Sequence, residues 1–138
     1  MINESLTIKS STRQELIDIT ERINAFLRAR QIDKGLLNLW TSHTTAALTV
    51  NENDKSLWVD FLDSLSQIAS LQREYYHKPN AYAHILSAVL KPDITIPINQ
   101  GKMVLGTWQR ILFIELDGPR RRTVKITIIG EQNKNSSH

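Results

Sequence analysis

The chain has 138 residues, 41% hydrophobic and 22% charged, with a formal net charge of +3 and no cysteine. That length supports one domain with a real core and is too short for two, while the missing cysteines exclude disulfides, thiolate zinc sites and cysteine nucleophiles and leave His, Asp and Glu as metal ligands. No apolar run reaches about 18 residues and no basic leader precedes an apolar segment, so a soluble, cytoplasmic protein without a membrane span or secretory signal is expected.

Residues 2–9 alternate loosely through Ile2, Leu6 and Ile8 and read as a first strand. Thr12 and Glu15 have capping-box spacing. Leu16, Ile19, Ile23, Phe26 and Leu27 then recur at helical intervals, which predicts an amphipathic helix over 13–30. Gly35 reads as the turn that follows. Two strand-like stretches, 36–42 and 46–50, flank His43, Thr44 and Thr45. Residues 51–54 offer capping groups for a second helix whose buried stripe is Leu57, Trp58, Phe61, Leu62, Leu65 and Ile68. A third helix is expected over 80–90, entered after Pro79 and left at Lys91-Pro92-Asp93.

Beyond it the chain is strand-rich, with strands expected over 94–98, 103–108, 111–117 and 123–129 and breaks at Pro97, Gly101 and Gly118-Pro119. Antiparallel hairpins follow from that punctuation. The polar end reads as a disordered tail over 131–138, leaving 1–130 as the domain and His138 outside any site.

Polar residues that a core does not need concentrate in two runs, SHTTAALTVNEND (42–54) and GKMVLGTWQRILFIELDGPRRR (101–122). Strand alternation puts Glu115 and Asp117 on one face, where they can share a cation, act as acid and base, or simply pair with the arginines at 120–122. The same alternation lets Arg120 and Arg122 reach one anion while Arg121 points elsewhere. Residues 1–100 hold ten Lys/Arg against eleven Asp/Glu, and residues 101–138 hold seven against three, so the positive field belongs to the last third and suits an anionic ligand. Basic residues are not interleaved with aromatics and no nucleic-acid module is present, which disfavours DNA or RNA as partner.

His43, His77 and His84 are scattered in sequence without a compact ligand spacing, yet three imidazoles can make an open site for a divalent ion such as zinc, should the fold bring them together. Asn80 precedes His84 by four residues and shares its helix face. Thr44 and Thr45 can donate hydroxyl hydrogen bonds to a phosphate or be ordinary strand residues, and Trp108 with Gln109 can wall a pocket or belong to the core.

The runs SHTTAALTVNEND, NAYAHIL (80–86), IPINQGKMVLGTWQ (96–109) and ELDGPRRR (115–122), in this order, resemble the YjbQ-like family, also called secondary thiamine-phosphate synthases. The resemblance runs from the first predicted helix to Gly130. It implies an α+β single domain in which a large, mainly antiparallel or mixed sheet is flanked by about three helices, assembled as a homotrimer. The family's polar motifs fall on His43, Thr44 and Thr45; on Asn51 and Glu52; on Asn80 and His84; on Trp108 and Gln109; and on Glu115, Asp117, Arg120 and Arg122. Two stretches depart from the family pattern. Only Lys78 and Pro79 separate His77 from the Asn-Ala motif, and Asn53-Asp54-Lys55-Ser56 replaces the usual Asp-Pro after Asn-Glu.

The activity proposed for the family joins a pyrimidine diphosphate to a thiazole phosphate and releases pyrophosphate. By that resemblance Arg120, Arg122 and a divalent metal ion, zinc or magnesium, neutralise the leaving group, Trp108 holds a flat ring, and His43 or Glu115 handles protons. The alternative is a non-catalytic trimer that binds a phosphorylated metabolite or a divalent metal with the same residues.

Overall fold

The computed structural model describes residues 1–133, which form eight strands and three helices. In chain order these are β1 (Ile2–Lys9), β2 (Glu15–Asp18), α1 (Thr20–Ala29), β3 (Ile32–Thr41), β4 (Ala46–Asn51), α2 (Lys55–Ile68), α3 (Ala81–Leu90), β5 (Asp93–Asn99), β6 (Lys102–Met103), β7 (Arg110–Glu115) and β8 (Arg121–Gln132). The fold is α+β, with antiparallel pairing throughout: a five-stranded sheet in the order β1-β8-β3-β5-β6 and a three-stranded sheet in the order β2-β7-β4. No helix among the described residues is long and apolar enough to cross a membrane.

β7 shows how the layers are made. Its residues 111–115 are all buried, and period-two alternation sends them to two different cores. Ile111 and Phe113 face the main core with Leu48 of β4, Ile23 and Leu27 of α1, and Leu37, Leu39, Ile126 and Ile128 of the larger sheet. Ile114 and the following Leu116 face a second core with Leu65, Tyr82, Ala83 and Leu86 from α2 and α3. The small sheet is therefore the middle layer. Complete burial of a side chain such as Phe113 contributes about 1.5–3 kcal/mol, so the alternation in ILFIEL is what commits this strand to the centre.

The helix expected over 13–30 begins only at Thr20. Leu16 and Ile17 instead pair with Ile114 and Phe113 as part of β2, each reaching a different core. Covering the open edge of β7 with ladder hydrogen bonds outweighs the helical periodicity of that segment. Only half of the capping box forms, and without a helix: the amides of Thr12 and its neighbour Ser11 donate to Glu15 Oε1 at 3.2 and 2.7 Å, while the Thr12 hydroxyl donates to the Gln14 carbonyl. Asp18 takes over at the true helix start, its Oδ1 accepting from the Thr20 amide at 2.9 Å.

Gly35 is not a turn but lies inside β3, opposite Gly130. Its φ is +150°, and a Cβ there would sit 2.3 Å from the Ile129 carbonyl oxygen, while one on Gly130 would sit 2.2 Å from the Lys34 carbonyl oxygen, so the close approach of β3 and β8 needs both glycines. α2 starts as expected at Asp54, whose side chain accepts from the Leu57 amide at 2.9 Å. Its apolar stripe is less buried than its spacing implies: only Leu65 is fully covered, and Ile68 is exposed. The strand expected over 103–108 ends at Met103, because residues 104–109 turn on themselves through Gln109. β8 continues to Gln132, past Gly130, while residues 134–138, including His138 and most of the expected tail, lie outside the described residues.

Candidate functional site

At the ends of β3 and β7 and the starts of β8 and α3 lies an open cavity of about 340 Å³. Ser42, His43, Thr44 and Thr45, which join β3 to β4, form one wall. Asn80 just before α3, His84 of α3 and the two arginines Arg120 and Arg122 form the rest, and no carboxylate lines it. Arg121 points away and is exposed, as alternation requires. α3 is held at this place by two buried hydrogen bonds, Tyr82 hydroxyl to the Leu116 carbonyl and Ser87 hydroxyl to the Ala46 carbonyl, both 2.8 Å. The N-terminus of that helix, positive in its dipole, thus opens on the cavity.

Beneath the cavity floor, Glu115 is wholly buried and Arg122 is 3% exposed. Arg122 Nε donates to both carboxylate oxygens of Glu115, at 2.9 and 3.1 Å, and Nη2 donates to Glu115 Oε2 and to the carbonyl and hydroxyl oxygens of Thr45. Among the described residues no buried side-chain nitrogen or oxygen lacks a partner, and Nη1 makes none of these bonds, so Nη1 is not fully buried. Ser10 completes the support: its hydroxyl donates to Glu115 Oε1 at 2.6 Å and accepts from the Arg120 amide at 2.8 Å. Burial raises the Glu115 pKa, but hydrogen bonds from Arg122, Ser10 and the Asp117 amide outweigh it and the net shift is downward. Glu115 is thus held towards its ionised form, with both oxygens engaged by donors.

Asp117 shares no cation with Glu115. It accepts from Asn80 Nδ2 at 2.9 Å and from Arg120 Nη2 at 3.0 Å, while Arg120 Nε donates to the Asp117 carbonyl at 2.8 Å. Burial pushes its pKa up, and the Asn80 and Arg120 hydrogen bonds more than reverse that. Arg120 remains half exposed and reaches the cavity from this anchored position.

His43 is oriented by the backbone, since the Thr123 amide donates to its Nε2 at 2.9 Å. A nitrogen that accepts is unprotonated, so the neutral ring carries its proton on Nδ1. Burial lowers the His43 pKa, and the charge of Arg122 lowers it further. His77 and His84 touch, with ring centroids 4.9 Å apart and planes at 87°. The three histidines do not form a ready-made ligand set: no group of three His, Asp or Glu able to hold a metal ion occurs among the described residues, and His43 has one nitrogen engaged and the other protonated. A three-histidine centre does not fit this arrangement.

The remaining motif residues lie at the far end of the small sheet. Ala46 pairs with Glu115, and Asn51 with Arg110, five residues or about 17 Å along the strand. Asn51 Oδ1 accepts from the Glu52 amide, and both residues are exposed. Gln109 Oε1 accepts from the Gly106 amide at 2.7 Å, and Trp108 is 72% exposed. Within one chain Trp108, Gln109, Asn51 and Glu52 therefore do not line the cavity. Ser10 and Tyr82 were missed in the sequence; a lone Ser after a strand and a Tyr on an apolar helix carry no signal until Glu115 and Leu116 are placed beside them.

A family model described as UPF0047 protein YjbQ-like matches residues 4–131. A UPF0047 protein of Archaeoglobus fulgidus is 40% identical over 122 residues, 86% of this chain and 94% of that one. The UPF0047 protein YugU of Bacillus subtilis is 36% identical over 130 residues, 92% and 98% of the two chains. Among solved structures, a hypothetical protein from Aeropyrum pernix K1 superposes with a TM-score of 0.90 at 36% identity, over 95% of this chain and 100% of its own. A protein of unknown function from Sulfolobus solfataricus P2 gives 0.89 at 31%, over 94% and 97%.

Proposed function

The chain belongs to the YjbQ-like UPF0047 family, and within it we propose a protein that binds the phosphate or pyrophosphate end of a small ligand in the cavity between His43 and Arg120. One observation carries the reading: the cavity is walled by two arginines, two histidines and hydroxyl side chains, with its carboxylates withdrawn onto those arginines. Arg122 Nη1 and the Arg120 guanidinium supply charge, Thr44 a hydroxyl, and His43 a neutral Nδ1–H donor, a set that matches phosphoryl oxygens.

The resemblance to thiamine-phosphate synthases extends this to a transferase that releases pyrophosphate. In such a step Arg120 and Arg122 hold the leaving group and stabilise its charge, and His43 adds a neutral hydrogen-bond donor through Nδ1. No step is assigned to zinc or magnesium, because the histidines do not supply three free ligands. The reading as a non-catalytic binder draws on Glu115, whose complete pairing leaves the cavity without a carboxylate base. We also read the protein as a homotrimer, supported by the exposed Val59 and Ile68 of α2 and Val89 of α3, which assembly would cover.

Purified protein supplied with the pyrimidine diphosphate and thiazole phosphate, followed for pyrophosphate release, tests the activity, with phosphate and pyrophosphate titrations run in parallel. Release that disappears in Arg120→Ala supports transfer. Saturable binding without release leaves the binder, and no binding of either anion removes both.

A further inference from the structure

We propose that the anion site is shared between two copies of this chain: the loop before β7 of a second copy, with Trp108 at its tip and Glu52 at the same end of the sheet, docks over the mouth of the cavity between His43 and Arg120. The inference deepens the anion-binding reading and rests on it for what the contact does to a ligand.

β4 and β7 pair over their whole length and end in two different chemistries. Where Ala46 meets Glu115 the cavity opens, with Arg120 and Arg122 in its wall and no carboxylate. Where Asn51 meets Arg110, the next residues outward are Glu52 and Gln109. Arg110 is already taken there, by Asp18 at 2.7 Å and Glu21 at 3.3 Å. Glu52 is exposed, and its carboxylate has no hydrogen-bond or ion-pair partner among the described residues. The loop beside it is rigidly presented. Leu105 packs on the main core, and Gln109 closes residues 106–109 on themselves, its side-chain oxygen accepting from the Gly106 amide at 2.7 Å and its own amide donating to the Gly106 carbonyl at 3.1 Å. Trp108 is thereby held outward and left 72% exposed.

The cavity end offers what this loop lacks. Arg120 donates through Nε and Nη2 to Asp117, while its Nη1 has no partner among the described residues and the side chain is half exposed at the rim. One end therefore presents a guanidinium edge without a carboxylate, and the other a carboxylate without a cation, next to an indole whose face suits a guanidinium. The two ends lie about 17 Å apart along the same strands, too far for one chain to bring its own loop to its own cavity. Because both complementary parts belong to this sequence, each copy supplies the partner that the next one needs. Such a head-to-tail contact closes into a ring when the rotation between neighbours allows it.

The chain has no cysteine, so Ser42→Cys at the cavity and Thr107→Cys beside Trp108, both exposed positions, test the contact without any ligand. Co-expressed and treated with a short bismaleimide, the two variants should give a covalent dimer that neither gives alone. Adding Glu52→Lys to the Thr107→Cys chain should cut the yield about fivefold, because it sets a cation against Arg120. No dimer from the mixture, or as much from a single variant, overturns the contact, and a yield that Glu52→Lys leaves unchanged overturns the part given to Glu52. Calorimetric titration with pyrophosphate reads the consequence for the site. Trp108→Ala and Arg120→Ala should each weaken binding about tenfold. Co-expressed in equal amounts, they should restore parental affinity in about a quarter of the sites, those that join an intact cavity to an intact loop. Parental affinity in Trp108→Ala alone, or no recovery in the mixture, overturns the shared site. If the parent protein binds no pyrophosphate, the anion reading fails and the sharing of that site falls with it, while the cross-link still decides the contact.

Discussion

The Thr123 amide and His43 Nε2 are hydrogen-bonded at 2.9 Å, and this one contact settles which nitrogen of the ring carries the proton. A protonated His43 would turn a second donor toward that amide, so charging the ring costs the hydrogen bond as well as the desolvation and the repulsion from Arg122.

His43 should therefore titrate below its ordinary 6.5, in the Nδ1–H tautomer at neutral pH. Long-range nitrogen–proton correlation spectra read both properties; an Nε2–H ring would contradict the geometry. The sign for stability follows from linkage: below about pH 6.5 the unfolded chain takes up the proton first, so stability falls as pH drops from there toward the folded pKa. His43→Gln should flatten that part of a denaturant midpoint against pH curve.

Arg122→Ala leaves the Glu115 carboxylate buried without its cation, and a loss of about 3–5 kcal/mol in unfolding free energy is expected. Arg121→Ala, at an exposed site one residue away, should change stability by less than about 0.5 kcal/mol. Urea unfolding of the two variants gives the contrast directly. Similar losses in both would mean that Arg122 is not the buried partner described above.

Ser10→Ala removes a donor to Glu115 and the acceptor of the Arg120 amide, at a cost of about 1–3 kcal/mol. Phosphate affinity should drop as well, because the Arg120 backbone loses a tether; unchanged affinity would place Ser10 outside the site's support.

Gly118→Ala should be among the most damaging single methyl additions. A Cβ there would lie 2.3 Å from the Thr12 carbonyl oxygen, 2.7 Å from Ser10 Oγ and 2.8 Å from Glu115 Cγ. Relief requires backbone movement beside Glu115, so about 1–3 kcal/mol of stability and most phosphate binding should be lost. A variant that keeps parental affinity would show that the 118–120 turn does not set the arginines.

Light scattering after gel filtration should find three copies at micromolar protein. Val59→Lys and Ile68→Lys together should shift it toward monomer if α2 lies in the contact.

Much of this was legible in the sequence where one local rule acts alone. The Asp54 cap, the α3 start at Asn80 and the alternation of ILFIEL all appear as read. Asn80 with His84, and Arg120 with Arg122, line one pocket as expected, although Asn80 precedes α3 and Arg120 precedes β8, so Asp117, which bonds both, and not an element's period holds them there. Reading failed where a distant partner decides. Leu16 and Ile17 become strand because β7 has an edge to fill, and residues 104–108 leave the sheet because Gln109 bonds its own loop. Ser10 carries no signal at all until a carboxylate more than a hundred residues away lies 2.6 Å from it.

Among the described residues β1 pairs with no strand except β8, Ile2 opposite Ile128 and Lys9 opposite Arg121. During synthesis the first strand thus waits for the last one, and Ser10, delivered near the beginning, waits with it for Arg120 and Arg122. A chain halted on the ribosome before residue 120 emerges has every histidine of the site but neither of its cations. The proposed anion site therefore forms only once the segment that carries both arginines has been made, and a fragment that stops before Arg120 has no cation to bind with at that place.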